Sequence, residues 1–412
     1  MNTHLKIGLV GFGCVGSGLY EVLNKSGLLG ATIKTIVVKH PEKKRSLPKE
    51  AFSYEVKDIL DDPEINVVVE LINDSVAAYE LVKRAFKAGK HVVSANKKLI
   101  AEHLDELLAL ATENQVSFLY EGAVAGSIPI IRNLEEYYNN DSLTSVEGIT
   151  NGTTNYILTQ SNFGVDYASA LAQAQELGFA EADPTLDVDG FDSKFKLVLL
   201  IKHAFGLSVE PNQLHNIGIR RITEKEIAYA TEKGFRIKLL SRAEKIGQEV
   251  CGFVAPHFVD RTHPAFEVNN EFNAVIVQGL FSDRQLFLGK GAGSYPTASA
   301  VLSDISALKF DYRYEYRKSD AGKNLQLSEQ FYLNVYIGTP HAVTLEEAGF
   351  EEVYESFRSR DYAYKTGLIS FEKLAALQTN AREDLAVIVL PGALQKPELV
   401  VAESANVEFN TH

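Results

Sequence analysis

Two lysines stand in surroundings that could give them chemistry. Lys196 interrupts the apolar run Phe195–Ile201, where a solvated ammonium is out of place, and Asp192 precedes it by one helical turn. At that spacing both side chains share a helix face. A buried lysine gives up its proton more readily than a free one, so it can act as general acid or base near neutral pH, although a neighbouring carboxylate pulls the other way. The competing reading is a long side chain whose stem covers apolar surface while its head reaches water. Lys97 follows the strand-like run His91–Ser94, at the sheet edge where open α/β folds bind ligands, and Lys98 beside it competes for the same role. Ahead of Lys196, Glu181, Asp183, Asp187, Asp189 and Asp192 crowd into a short acidic stretch. Some of these cap helices or face solvent, but one or two are enough to receive a substrate ammonium. The stretch lacks the glycine and terminal glutamate of an EF-hand calcium loop. Positioned lysines suit an alcohol that loses hydride from carbon and a proton from oxygen.

A hydride needs an acceptor, and the first strand leads to one. Gly11-Phe12-Gly13-Cys14-Val15-Gly16 directly follows the apolar run Lys6–Val10 and opens a helical one. Between strand and helix, this spacing is a dinucleotide-binding fingerprint. Gly11 permits the tight turn, Gly13 lets a pyrophosphate approach the backbone, and Gly16 packs helix on strand. The free N–H groups at the helix start then face the phosphates. NAD-specific folds place a carboxylate at the tip of the second strand. Here Lys39, Lys43, Lys44 and Arg45 gather there instead, which fits a 2′-phosphate. NADP preference is the expectation, with NAD use and a merely solvated basic loop left open.

These residues require a particular framework. Strand-like runs at Leu5–Val10, Thr32–Val38, Val67–Leu71, His91–Ser94 and Val116–Tyr120 alternate with helical spacing at Gly16–Asn24, Ala77–Ala88 and Leu104–Glu113. That alternation predicts a Rossmann-type α/β domain over residues 1–135. An α+β substrate and dimerisation domain is expected over 136–298, its long helix at Ser193–Phe205 and its strands at Arg236–Ala243, Gln248–Pro256, Ala274–Gly279 and Gln285–Gly289. Such a sheet would be covered by helices on one face. Residues 299–318, helical over Ser299–Leu308, are placed to return to the first domain. A small C-terminal α+β unit follows over 322–412, with strands at Phe331–Ile337 and Leu385–Leu390 and helices at Leu345–Phe357 and Phe371–Thr379. The last dozen residues are polar and expected to fray.

Bulk properties exclude several function classes. The net charge of -13 argues against nucleic acid or an anionic membrane as partner. Cys14 and Cys251 are the only cysteines and have no metal-ligand spacing. The glycine loop is expected to bury Cys14. A strand begins almost at the first residue, leaving no room for a signal peptide, so the cytoplasm is the expected compartment.

Five blocks in order resemble homoserine dehydrogenase: Ser94–Lys97, Tyr120–Pro129, Asn151–Tyr156, Gly178–Lys196 and Gly289–Val301. The resemblance covers about the first 310 residues. It implies interconversion of L-homoserine and L-aspartate 4-semialdehyde in threonine, methionine and isoleucine biosynthesis, in the monofunctional form and as a homodimer or homotetramer. By resemblance Lys196 is the proton donor, and Lys97 rather than Lys98 approaches both cofactor and substrate. Glu181, Asp187, Asp192, Gly152 and Thr153 bind substrate. Ser94, Gly178, Gly291 and Gly293 join Lys39 and the Gly11–Gly16 loop at the cofactor. Glu121, Val124, Gly126 and Ile128 hold a structural sodium ion, mainly through carbonyls. Two departures stand out. Asn73-Asp74 replaces the family's Gly-Gly pair, and the C-terminal unit lacks a full ACT signature although it occupies an ACT-like position. The rival readings are aspartate-semialdehyde dehydrogenase, which needs a nucleophilic cysteine, and a non-catalytic NADP sensor, which needs a DNA-reading element.

Overall fold

The computed structural model describes residues 4–26, 30–140, 142–341, 345–379 and 384–397; the expected fraying of the last dozen residues lies outside them. The first sheet contains β1 (Leu5–Val10), β2 (Ala31–Val37), β3 (Val67–Glu70), β4 (His91–Ser94) and β5 (Phe118–Leu119). Their order is β2-β1-β3-β4-β5, with every pairing parallel. All four residues of β3 are buried, as a parallel strand covered on both faces requires. The crossovers are α1 (Cys14–Ser26), α2 (Ser75–Lys87) and α3 (Lys97–Glu113). The last begins a full two turns before the expected helix at Leu104. Its backbone leaves helical geometry at His103 (φ −137°), so a single apolar periodicity is visible only beyond that kink.

A short helix, α4 (Ile130–Glu135), leads into β6 (Leu143–Ile149), followed by α5 (Gly152–Asn162) and α6 (Tyr167–Glu176). Helix α7 (Phe191–Phe205) is buried from Phe195 to Phe205, which explains its apolar composition all round. Gly206 ends it in the left-handed region (φ +75°), where a Cβ would lie 2.0 Å from the Lys318 carbonyl oxygen.

The remaining strands are β7 (His215–Asn216), β8 (Arg236–Ile246), β9 (Glu249–Val259), β10 (Phe272–Gly279), β11 (Asp283–Lys290), β12 (Gln326–Leu327), β13 (Tyr332–Thr339), β14 (Glu352–Arg358), β15 (Ala363–Ser370) and β16 (Ala386–Val389). With β6 they form an 11-stranded sheet whose main path runs β11-β10-β6-β8-β9-β16-β13-β15-β14. The C-terminal strands therefore continue the middle sheet through Val389↔His257. They also share an apolar core with Cys251, Phe253 and Ala255 of β9. Taken alone, β13 to β16 have the order 4-1-3-2 with antiparallel neighbours, the split βαβ arrangement.

The helix expected over Leu345–Phe357 is corrected: Glu352–Arg358 is a strand paired with β15. Val353 and Phe357 imitate helical spacing, but the register shifts between Val353 and Glu355, so a bulge hides the strand's alternation. Helix α8 (Ser294–Leu308) returns to the first sheet. Its Ser294 hydroxyl donates to the Cys14 carbonyl at 2.7 Å, and the Tyr295 hydroxyl donates to Glu21 at 2.6 Å. Among the described residues, no helix is long and apolar enough to cross a membrane.

Candidate active site

The first turn of α3, the end of β6 and the first turns of α7 meet at one carboxylate. Asp192 is buried and accepts from Lys196 Nζ at 2.7 Å on Oδ2 and from Lys97 Nζ at 2.9 Å on Oδ1. Lys196 also donates to the Thr150 carbonyl at 2.6 Å, so its ammonium faces inward and the snorkelling reading fails. Lys97 keeps 42% of its side chain exposed and lies on the open side of the pair. Lys98 points elsewhere, toward Glu102.

Asn151, which sequence reasoning passed over, organises the carboxylates. Its Nδ2 donates to Asp187 at 2.7 Å and to Asp192 at 2.9 Å. Its Oδ1 accepts the Thr154 N–H at 2.8 Å as the N-cap of α5. The available signal was an asparagine just ahead of a helix. Thr153 donates to the Phe179 carbonyl at 2.6 Å, tying the start of α5 to the turn that carries Gly178 and Glu181. Gly152 passes close to the Glu271 carbonyl, 2.7 Å from where its Cβ would be. Glu181 is exposed, and its charge acts on Lys97. Asp183 and Asp189 have structural roles: the first accepts the Thr185 N–H at 3.1 Å and the second pairs with Arg220 at 2.5 Å.

Charge and burial set the two lysines apart. Burial lowers the Lys196 pKa and outweighs the opposing pull of Asp192, with Lys97 adding to the lowering. Asp192 raises Lys97 more than desolvation lowers it. Burial would push Asp192 up, but Lys196 and Lys97 hold it well below the usual carboxylate range. Asp187 is shifted up, first by burial and then by the charge of Asp192.

The glycine loop fits a dinucleotide. Gly11 has φ +100° and a Cβ there would lie 2.4 Å from the Leu71 carbonyl, while one on Gly16 would lie 2.3 Å from the Gly11 carbonyl. Gly13 has nothing within 4 Å on that side, so the loop is open where a pyrophosphate approaches. Val15 is half-buried in the first turn of α1. Phe12 turns into the core against Tyr20 and Phe52, so only its backbone remains for a ligand. Cys14 is exposed, which corrects the expectation of burial: as the first residue of α1 it lies at the loop's open edge. Lys39, Lys43 and Lys44 are exposed beyond β2. Arg45 sits over the Phe52 ring and donates to the His40 and Lys43 carbonyls. The Ser94 hydroxyl is buried and donates to Glu70 at 2.6 Å, leaving its main chain for cofactor contact. Gly291 packs against Asn273, whose amide nitrogen would lie 1.8 Å from a Cβ there. Gly293 (φ +116°) then leads into α8 beside the glycine loop.

The implied sodium loop is engaged by its surroundings. The Glu121 carboxylate accepts N–H groups of Ile131 and Arg132 at 2.8 and 2.9 Å, and the Ile128 carbonyl accepts the Ile130 N–H at 2.9 Å. The carbonyls of Glu121, Val124 and Gly126, with the second lone pair of Ile128, are the oxygens a hard cation could use. Among the described residues, no three or more His, Cys, Asp or Glu side chains are grouped to hold a metal. An open cavity of about 790 Å³ lined by His91, Arg313 and Glu135 lies at the start of β4, the opposite edge from the lysines.

Two family models match the chain in sequence order. Residues 11–121 match the homoserine dehydrogenase NAD-binding domain and 129–306 the homoserine dehydrogenase domain. The chain is 37% identical to homoserine dehydrogenase of Bacillus subtilis (strain 168), over 94% of this chain and 90% of that one. The crystal structure of a homoserine dehydrogenase from Thiobacillus denitrificans superposes with TM-score 0.83 and 30% identity, covering 94% of this chain and 98% of that one. A hyperthermophilic archaeal homoserine dehydrogenase in complex with NADPH gives TM-score 0.65 at 26% identity, covering 75% and 99%. With its lysine-flanked Asp192 at the sheet edge and an open glycine loop beside it, the chain belongs to the homoserine dehydrogenase family.

Proposed function

We propose that Lys196 exchanges the hydroxyl proton of L-homoserine, that Lys97 holds the same oxygen toward the cofactor, and that NADP is the preferred cofactor. The observation that carries this reading is the Asp192 carboxylate clamped between Lys196 at 2.7 Å and Lys97 at 2.9 Å. The nicotinamide, when bound, supplies the hydride acceptor for alcohol oxidation and the donor for aldehyde reduction. In oxidation, neutral Lys196 takes the hydroxyl proton as hydride leaves the same carbon; in reduction its ammonium returns that proton. Burial lowers Lys196 toward the working range of an acid or base, whereas Asp192 raises Lys97 and keeps it cationic. A cationic Lys97 stabilises the developing alkoxide by charge. Glu181 and Asp187, with the Gly152 and Thr153 backbone, receive the amino-acid end. The exposed Lys39, Lys43 and Lys44 support the 2′-phosphate reading.

A sodium ion on the Glu121–Ile128 carbonyls would order the link between the two sheets. The 4-1-3-2 order of β13 to β16 supports an ACT-like reading of 322–412, and the exposed Leu286 and Leu288 on outer strand β11 support a homodimer. The test is Lys196→Ala in NADP-linked homoserine oxidation followed by nicotinamide absorbance. The rate should fall about 10²- to 10⁴-fold while NADPH binding is retained. A variant with most of its activity would remove Lys196 from proton exchange, and a wild-type protein inert with both cofactors would overturn the reading as a whole.

A further inference from the structure

At the ends of β3 and β4, Glu70 lies in a closed ring of hydrogen bonds. The carboxylate is fully buried. Its Oε1 accepts the Ile72 N–H at 2.7 Å and its Oε2 accepts the Ser94 hydroxyl at 2.6 Å. The Ser94 oxygen in turn accepts the Asn96 N–H at 3.1 Å, and Asn96 Nδ2 donates to the Ile72 carbonyl at 3.0 Å, closing the ring. Asn96 is also the N-cap of α3, accepting the Leu99 N–H at 3.1 Å, and the first residue of that helix is Lys97. Among the described residues, no cation pairs with Glu70. Burial pushes its carboxyl up to about 7, opposed by the bonds from Ser94, the Ile72 backbone and Asn96.

We propose that Glu70 is a positioning residue of the reaction, which through this ring sets the first turn of α3 and the placement of Lys97 against Asp192. The ring explains why a carboxylate is spent inside the sheet. Its two oxygens serve as separate acceptors, one for the Ile72 N–H and one for the Ser94 hydroxyl. Glutamine would present one donor and leave a group of the ring unmatched. The same ring holds Ile72, the residue before Asn73-Asp74, so the two turns flanking the cofactor edge are locked to each other.

The proposal rests on Lys97 acting in the site, and the experiment separates the two ideas. Homoserine oxidation is compared in wild type, Glu70→Gln, Lys97→Ala and the double variant. Glu70→Gln should lower kcat about 10- to 100-fold, as a misplaced reacting group does, with the homoserine KM changed far less. In the Lys97→Ala background the same change should cost less than about twofold, because coupled residues are non-additive. Equal losses in both backgrounds, or an unchanged kcat in Glu70→Gln, overturn the proposal. A fully active Lys97→Ala removes Lys97 itself from the site. If Glu70→Gln does not fold, Ser94→Ala opens the ring at a smaller group and takes its place in the same cycle, with the same outcomes deciding.

Discussion

Asp192→Asn removes the one negative charge that two lysines share, and the consequence for Lys196 can be worked out. Lys97 is 42% exposed and can turn to water, so its loss is small. Lys196 is buried and keeps only the Thr150 carbonyl. Leaving such a cation unpaired costs about 3–5 kcal/mol. The lysine can escape by losing its proton. From an unfolded pKa of about 10.4, neutralisation costs about 3 kcal/mol at pH 8, and each lower pH unit adds about 1.4. Destabilisation should therefore be about 3 kcal/mol at pH 8 and rise to as much as about 5 at pH 6, where the unpaired charge costs less than neutralisation. The sign follows from proton counting: the unfolded variant binds a proton that the folded one sheds, so its stability rises with pH. In the wild type the depressed Asp192 pKa contributes stability above the ordinary carboxylate pKa, lost as pH falls through the folded value. Thermal unfolding followed by circular dichroism should show Tm about 3–4 °C below wild type at pH 8, with a wider gap at pH 6. Homoserine oxidation should fall at least about 100-fold. A variant melting with the wild type at both pH values, or with a gap independent of pH, would refute the buried triad.

Three further outcomes follow from other contacts. Asn151→Ala should raise the homoserine KM and cost about 1 kcal/mol through the lost N-cap, since Asp187 and Asp192 lose their shared donor; unchanged kinetics would make Asn151 a helix cap only. Lys39→Ala should raise KM for NADP more than for NAD, and equal changes in a two-cofactor assay would remove Lys39 from phosphate recognition. Gly206→Ala should lower Tm by more than about 2 °C, because a left-handed alanine also meets the Lys318 carbonyl at 2.0 Å. A neutral substitution would mean that the end of α7 can shift freely.

Much of the first sheet was legible because its signals are local. β1 and β4 begin and end at the residues that the apolar runs indicate, since strand propensity and the glycine turn are read within a few residues. The start of α3 was not legible, because the His103 kink masks the apolar spacing ahead of it. β14 was misread because its partner β15 lies beyond a turn and its bulge breaks the alternation.

What the sequence by itself determined is the chemistry available: a dinucleotide loop, a basic second-strand tip, two lysines and an acidic run. Helical spacing even paired Lys196 with Asp192, because those residues are one turn apart. Only the tertiary structure decided which groups meet across distance. It brought Lys97 of α3 to the other oxygen of Asp192, placed Asn151 between two carboxylates, closed the Glu70 ring across β3 and β4, and carried the middle sheet into the C-terminal strands. The physical reason is common to all four. Hydrogen bonds between residues far apart in the chain are selected by burial of polar groups that must find partners, and a linear pattern does not record which partners those are.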